Sequence, residues 1–200
     1  MARSPASCIH VSNTLTYVSL LMGIASIAAA LSGSADAAGA LIAAAAIADT
    51  FDGWFARRFA RSLELASMGV QLDSLADAVT FGIAPVIVAG ILFRPAGGAG
   101  EWIWWGSAFV YAACALTRLG FYNVSHGEIS GFVGLPTPVA ALFWSTLLLL
   151  NAGPVALSVV ALTTSVAMIA PVRIPRPSGL GLAVFVLWPV GLILAHTARL

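Results

Sequence analysis

The sequence predicts an all-α fold: a polytopic transmembrane helical bundle of six to eight spans, with seven favoured. Three observations lead there. Hydrophobic residues make up 60% of the 200 residues and charged ones 8%, against roughly 45–50% and 25% in soluble domains. The mean hydropathy is +0.98. Apolar runs near the length of a bilayer crossing, about 20 residues, recur along the chain between Gly, Pro and charged residues.

The spans are expected at approximately 13–31, 37–56, 69–93, 102–123, 136–151, 154–172 and 179–197. The first carries only Arg3 and His10 ahead of it and lacks a small-residue cleavage site, so it reads as a span and not as a cleaved signal. The second and third carry the aspartates. Pro85 sits inside the third and is expected to bend it. The stretches RPAGGAGE, around Gly98, and SHGEISGFVGLP read as loops, and Asn151-Ala-Gly-Pro154 as a tight turn. No long repeat divides the chain, so residues 1–200 are expected to form one integral-membrane domain. Trp102, Trp104 and Trp105 suggest an interfacial aromatic belt. His10 and His196 read as surface groups, Asp36 and Glu64 as solvated loop charges, and Glu101 as a helix-start acid. His126 and Glu128 share a loop near the inner face.

Composition also excludes chemistry. All nine basic residues are Arg, so no lysine can act as a base or Schiff base. Cys8 and Cys114 are two isolated thiols, which make neither a disulfide framework nor a zinc site. No basic run suggests nucleic acid. With the N-terminus cytoplasmic, seven spans place Arg3, Arg57, Arg58, Arg61, Arg118, Arg173 and Arg176 on or near the inside. Arg94 and Arg199 fall outside. This asymmetry puts the aspartate end at the cytoplasmic face of a cell inner membrane.

Five of the eight acidic residues fall between positions 49 and 77, and four of them are aspartates: Asp49, Asp52, Asp73 and Asp77. A carboxylate at the centre of a membrane helix costs about 2.5–3.5 kcal/mol on insertion scales, and only Arg57, Arg58 and Arg61 lie close in sequence. Spacings of three and four put each pair along one helix face. The short polar connection makes the two helices antiparallel neighbours whose pairs face each other. Four converging carboxylates form an oxygen-rich cage for hard divalent cations such as Mg²⁺ or Mn²⁺. Two such ions about 3.5–4 Å apart would clamp a phosphoryl group during in-line displacement. Gly53 and Ala56 leave space on the same helical side, and Arg57 offers a planar fork for phosphate oxygens. Gly69 is expected to begin the next helix, whose first amides would favour an anion.

These residues resemble the signature of the CDP-alcohol phosphatidyltransferases, D-x2-D-G-x2-A-R followed by G-x3-D-x3-D. Here it reads Asp49-TF-Asp52-Gly53-WF-Ala56-Arg57, then Gly69-VQL-Asp73-SLA-Asp77. Eleven residues separate Arg57 from Gly69, where the family usually has eight, which is expected to lengthen the cytoplasmic connection. GVQLDSLADAVTFGIAP, GLPTPVAA at 134–141 and ALTRLGFYNV at 115–124 are similar to segments of the phosphatidylserine synthase branch, the last with one extra residue near Gly120. The resemblance implies metal-dependent transfer of a phosphatidyl group from CDP-diacylglycerol to L-serine, giving phosphatidylserine and CMP. It implies Asp77 as the base, Asp49, Asp52 and Asp73 as the main metal ligands with Asp77 completing the set, and a homodimer.

Nucleotide contacts are then expected from Asp52, Gly53, Ala56, Arg57, Gly69 and Asp73. Arg118, near the end of an apolar span, is the candidate cation for the serine carboxylate beside a plain snorkelling role, with Asn123 close by. Two other readings stand beside this one. The same chemistry could use glycerol phosphate or inositol phosphate, but a phosphorylated acceptor would want more than Arg118, Arg173 and Arg176 near the site. A cation transporter would explain intramembrane acids but not the fixed Gly53, Ala56 and Arg57.

Overall fold

The computed structural model describes residues 4–93, 97–125, 132–174 and 180–200. Arg3, Arg94, His126, Glu128 and Arg176 lie outside them. Among the described residues seven helical rods alternate in direction. They are α1 (Thr14–Leu31), α2 (Ala35–Ala56), the continuous rod α3 (Leu63–Asp77) to α4 (Ala84–Phe93), α5 (Gly98–Val124), α6 (Thr137–Leu149), α7 (Pro154–Ile169) and α8 (Leu180–Thr197). The stretches Val11–Leu31, Ala35–Ala56 and Leu63–Phe93 are long and apolar enough to cross a membrane, and Thr137–Leu149, Pro154–Ile169 and Ala183–Thr197 are shorter apolar helices. This is an integral membrane protein. Large apolar side chains such as Leu21, Phe109, Val166 and Leu194 point outward, where a bilayer would cover them.

The core follows from small residues. Ala38, Ala43, Ala45 and Ala46 of α2 are buried, and α2 packs against α1, α6 and α8. Lipid supplies no hydrophobic drive between helices, so close backbone approach and hydrogen bonds hold them instead. Ser19 Oγ donates to the Ala45 carbonyl at 3.3 Å, joining α1 to α2. At Gly23 an added Cβ would lie 2.9 Å from Thr80 Cα, so only glycine admits that crossing.

The third rod contains a π-helical turn, Ala78–Ile83, just ahead of Pro85. Proline has no N–H for the carbonyl four residues back. That carbonyl, on Phe81, instead accepts the Tyr111 hydroxyl of α5 at 2.9 Å. At the place where a bend is expected the rod holds this π turn, and the Tyr111 hydroxyl of α5 occupies the carbonyl that Pro85 leaves.

Four readings of the sequence are corrected here. Both α2 and α3 begin earlier than their apolar runs, because Ser34 Oγ accepts from Ala37 N and Ser62 Oγ from Leu65 N, each at 3.2 Å. Such caps satisfy first-turn amides, so Asp36 and Glu64 lie in first helical turns and not in loops. His196 is fully buried, with Nδ1 2.8 Å from Asp36 Oδ1. Trp104 is also fully buried, edge-on to Trp144, while Trp102 and Trp105 are exposed. Finally, the stretch read as a loop before α6 includes β1 (Phe132–Val133), which pairs antiparallel with β2 (Arg173–Ile174) in the register Val133↔Arg173.

Candidate active site

The last two turns of α2 carry Asp49 and Asp52, and the C-terminal half of α3 carries Asp73 and Asp77. Their side chains pair across the helices, Asp49 with Asp77 and Asp52 with Asp73. Antiparallel helices require this order: as one chain descends, its partner ascends. The helices themselves pack on each other only sparsely, and both rest on α1. The carboxylates therefore face one another across a gap rather than a tight helix seam. Asp49, Asp52 and Asp73 each present an oxygen within 4.8 Å of the others. Asp77 stands outside that trio, against Asp49, and is the most buried of the four at 9% exposure.

Three carboxylate oxygens at that separation are the donor set a hard divalent cation takes. Without one, clustered negative charge in an apolar bundle is unfavourable. Two basic groups share the cavity with them: Arg118 of α5, whose charge acts on Asp49 and Asp77, and Arg57 at the end of α2. The residues fit a metal site.

The aspartates floor a cavity of about 740 Å³. Gly53, Trp54 and Arg57 line it from α2, Arg118 from α5, Leu135 to Val139 from the start of α6, Ile174 from β2 and Phe185 from α8. Its volume falls within the usual range for small-molecule sites, roughly 300–1,000 Å³. Gly53 contributes backbone alone to this wall, and an added Cβ there would make only ordinary contact, 3.5 Å from an Arg57 nitrogen. Arg58 stacks on Trp54 at 3.9 Å from the ring centroid, beside the cavity mouth.

Not every expected residue converges. Ala56 does not line the cavity. Gly69 neither lines it nor begins a helix; it lies inside α3, where an added Cβ would come within 3.2 Å of Asn13 Oδ1. Its amide therefore cannot serve as a helix-start anion site. Of the eleven residues between Arg57 and Gly69, Leu63 to Met68 belong to α3, because Ser62 caps the helix. Asn123 also lies away from the cavity: its Oδ1 accepts from Ser74 Oγ at 2.7 Å and its Nδ2 donates to Gln71 Oε1 at 3.3 Å, tying α5 to α3.

Two residues add to the expected set. Thr16 Oγ1 on α1 donates to Asp52 Oδ2 at 3.2 Å, fixing that carboxylate from behind. Tyr122 places its ring against Arg118, the guanidinium carbon lying 4.7 Å from the ring centroid. The four-residue step from Arg118 to Tyr122 was the available signal, since it sets both on one face of α5.

The family model for CDP-alcohol phosphatidyltransferase matches residues 9–175. The chain is 33% identical over 88% of its length to the archaetidylserine synthase of Methanothermobacter thermautotrophicus, covering 73% of that protein. It is 37% identical over 70% of its length to the CDP-diacylglycerol–serine O-phosphatidyltransferase of Mycobacterium tuberculosis, and spans about half, 49%, of that relative. The Bacillus subtilis enzyme of the same name is 30% identical over 64% of this chain, with 68% of its own length covered. The family match runs through the aspartate helices and every named wall of their cavity except Phe185, and the chain belongs to the CDP-alcohol phosphatidyltransferase family.

Proposed function

We propose that this protein is a CDP-diacylglycerol–serine O-phosphatidyltransferase, transferring the phosphatidyl group of CDP-diacylglycerol to L-serine with release of CMP. The observation that carries the reading is the cross-pairing of Asp49 with Asp77 and Asp52 with Asp73 at the floor of a cavity that also holds Arg118. The names of the relatives support serine as acceptor.

Asp49, Asp52 and Asp73, with Asp77 beside them, would hold two divalent ions, Mg²⁺ or Mn²⁺. Such ions, when bound, neutralise charge on the pyrophosphate and on the departing CMP. The remaining work falls to the chain's own groups. Arg57, at the mouth, forks onto phosphate oxygens, with Asp52, Gly53 and Asp73 walling the nucleotide. Arg118 takes the serine carboxylate. The serine hydroxyl oxygen forms the new bond to the lipid-side phosphorus as the bond from phosphorus to the CMP oxygen breaks. Its proton passes to the Asp77 carboxylate, whose burial excludes competing water.

Residues 1–200 act as one domain in this reading. Arg57, Arg58, Arg61 and Arg173 lie at the aspartate end of the bundle and Arg199 at the other, which supports a cytoplasmic site in the inner membrane. The assembly is a homodimer, as the family resemblance implies, and cross-linking in native membranes tests it. The function itself is tested by purified protein with CDP-diacylglycerol and a panel of alcohols, following CMP. Release with L-serine alone is expected. Release with glycerol phosphate or inositol phosphate but not serine would overturn the acceptor.

A further inference from the structure

Arg118 is only 7% exposed, and its Nε has no hydrogen-bond partner among the described residues. A guanidinium on a long flexible stem, lining a 740 Å³ cavity, loses its geometry unless something holds it. Tyr122 lies one helical turn further along α5, with its ring 4.7 Å from the guanidinium carbon. That is within the range of about 6 Å for a cation–π contact. The ring is itself fixed. Its hydroxyl donates to the Val133 carbonyl at 3.3 Å and accepts from the Val133 amide. Val133 belongs to β1, whose partner strand ends in Ile174, and two residues beyond Val133 comes Leu135; both Ile174 and Leu135 line the cavity. One phenol thus touches the buried cation on one side and the strand at the cavity rim on the other.

We infer that Tyr122 is the positioning residue for Arg118: its ring face sets the guanidinium toward the acceptor, and its bond to β1 holds that ring in register with the cavity wall. The inference rests on the reading of Arg118 as the carboxylate-binding cation. Tyr122 touches no reacting atom. It acts through Arg118, so it should govern acceptor affinity and leave donor affinity and turnover nearly alone.

The test compares Tyr122→Phe, Tyr122→Leu and Arg118→Ala in the full-length protein in detergent. The readouts are kcat, KM for serine, KM for CDP-diacylglycerol, and phenylglyoxal labelling of Arg118 followed by peptide mass spectrometry. Tyr122→Leu removes the ring face and is expected to raise KM for serine roughly five- to thirtyfold, with donor KM and kcat within about twofold and faster labelling of Arg118. Tyr122→Phe keeps the face but gives up the hydroxyl's bond to Val133, so it should raise serine KM by less than the Leu change, about two- to fivefold. Equal impairment by Phe and Leu, or parental serine KM and labelling in the Leu variant, would overturn the inference. Should the Leu variant aggregate, Tyr122→Met, also without a π face, takes its place. If Arg118→Ala leaves serine KM unchanged, the carboxylate role of Arg118 fails; the labelling rates still decide whether Tyr122 positions it.

Discussion

His196 Nδ1 lies 2.8 Å from Asp36 Oδ1, joining the last turn of α8 to the first turn of α2 across 160 residues of sequence. Its Nε2 lies 3.1 Å from the Ser145 carbonyl of α6. The same Nε2 lies 3.3 Å from Ser145 Oγ. Ser145 Oγ then donates to the Gly39 carbonyl at 2.9 Å. Three helices are pinned at the end of the bundle away from the aspartates.

His196→Ala is expected to destabilise the protein by about 1–3 kcal/mol, since it strands a buried carbonyl and a half-buried carboxylate. Thermal unfolding in detergent, followed by size-exclusion, reads the loss. Both Michaelis constants should stay near parental values at permissive temperature. An unchanged unfolding temperature would remove the pin's structural role.

Gly39→Ala tests the same junction from its other side. An added Cβ there would overlap His196 Nε2, and overpacking of this kind costs about 1–3 kcal/mol. In the His196→Ala background the clash is gone, so Gly39→Ala should then cost little. Additive losses in the double variant would mean that the two residues do not share one contact.

This pin was not legible in the sequence, and the reason is physical. Asp36 and His196 look like terminal charges in a linear reading, and only the antiparallel path of α2 and α8 brings them together. The aspartate site was legible because its spacing obeys helix periodicity on both strands of the chain: residues 49 and 52, then 73 and 77, must each share a face whatever the tertiary details. Gly69 shows where that reasoning stopped. The apolar run begins there, but the helix begins at Leu63, just after the Ser62 cap and six residues earlier than hydropathy marks. Trp104 was misplaced for a related cause. Its neighbours Trp102 and Trp105 do lie outward, and a rotation of about 100° per residue carries Trp104 into the core against Trp144.

Metal dependence follows from the trio of oxygens within 4.8 Å. Excess chelator should abolish CMP release, and added Mg²⁺ or Mn²⁺ should restore it. Binding of Mn²⁺, read directly by electron paramagnetic resonance, should weaken in Asp49→Asn and Asp73→Asn. Full turnover in chelator would refute the metal site.

Asp77 and Asp52 should part company when each is changed to Asn. Asp77 is the most buried of the four and lies outside the close trio, against Asp49. A proton acceptor acts mainly in the transition state, so Asp77→Asn should lower kcat by about 10²- to 10⁴-fold while donor binding changes little. Asp52 belongs to the trio, lines the cavity and is fixed by Thr16 at 3.2 Å. Asp52→Asn should therefore weaken Mn²⁺ and CDP-diacylglycerol binding as well as turnover. Equilibrium binding of a CDP-lipid, measured beside single-turnover rates, separates the two patterns. An Asp77→Asn variant that turned over near the parental rate would move the proton acceptor elsewhere. One that lost donor binding as fully as Asp52→Asn would make Asp77 a ligand first.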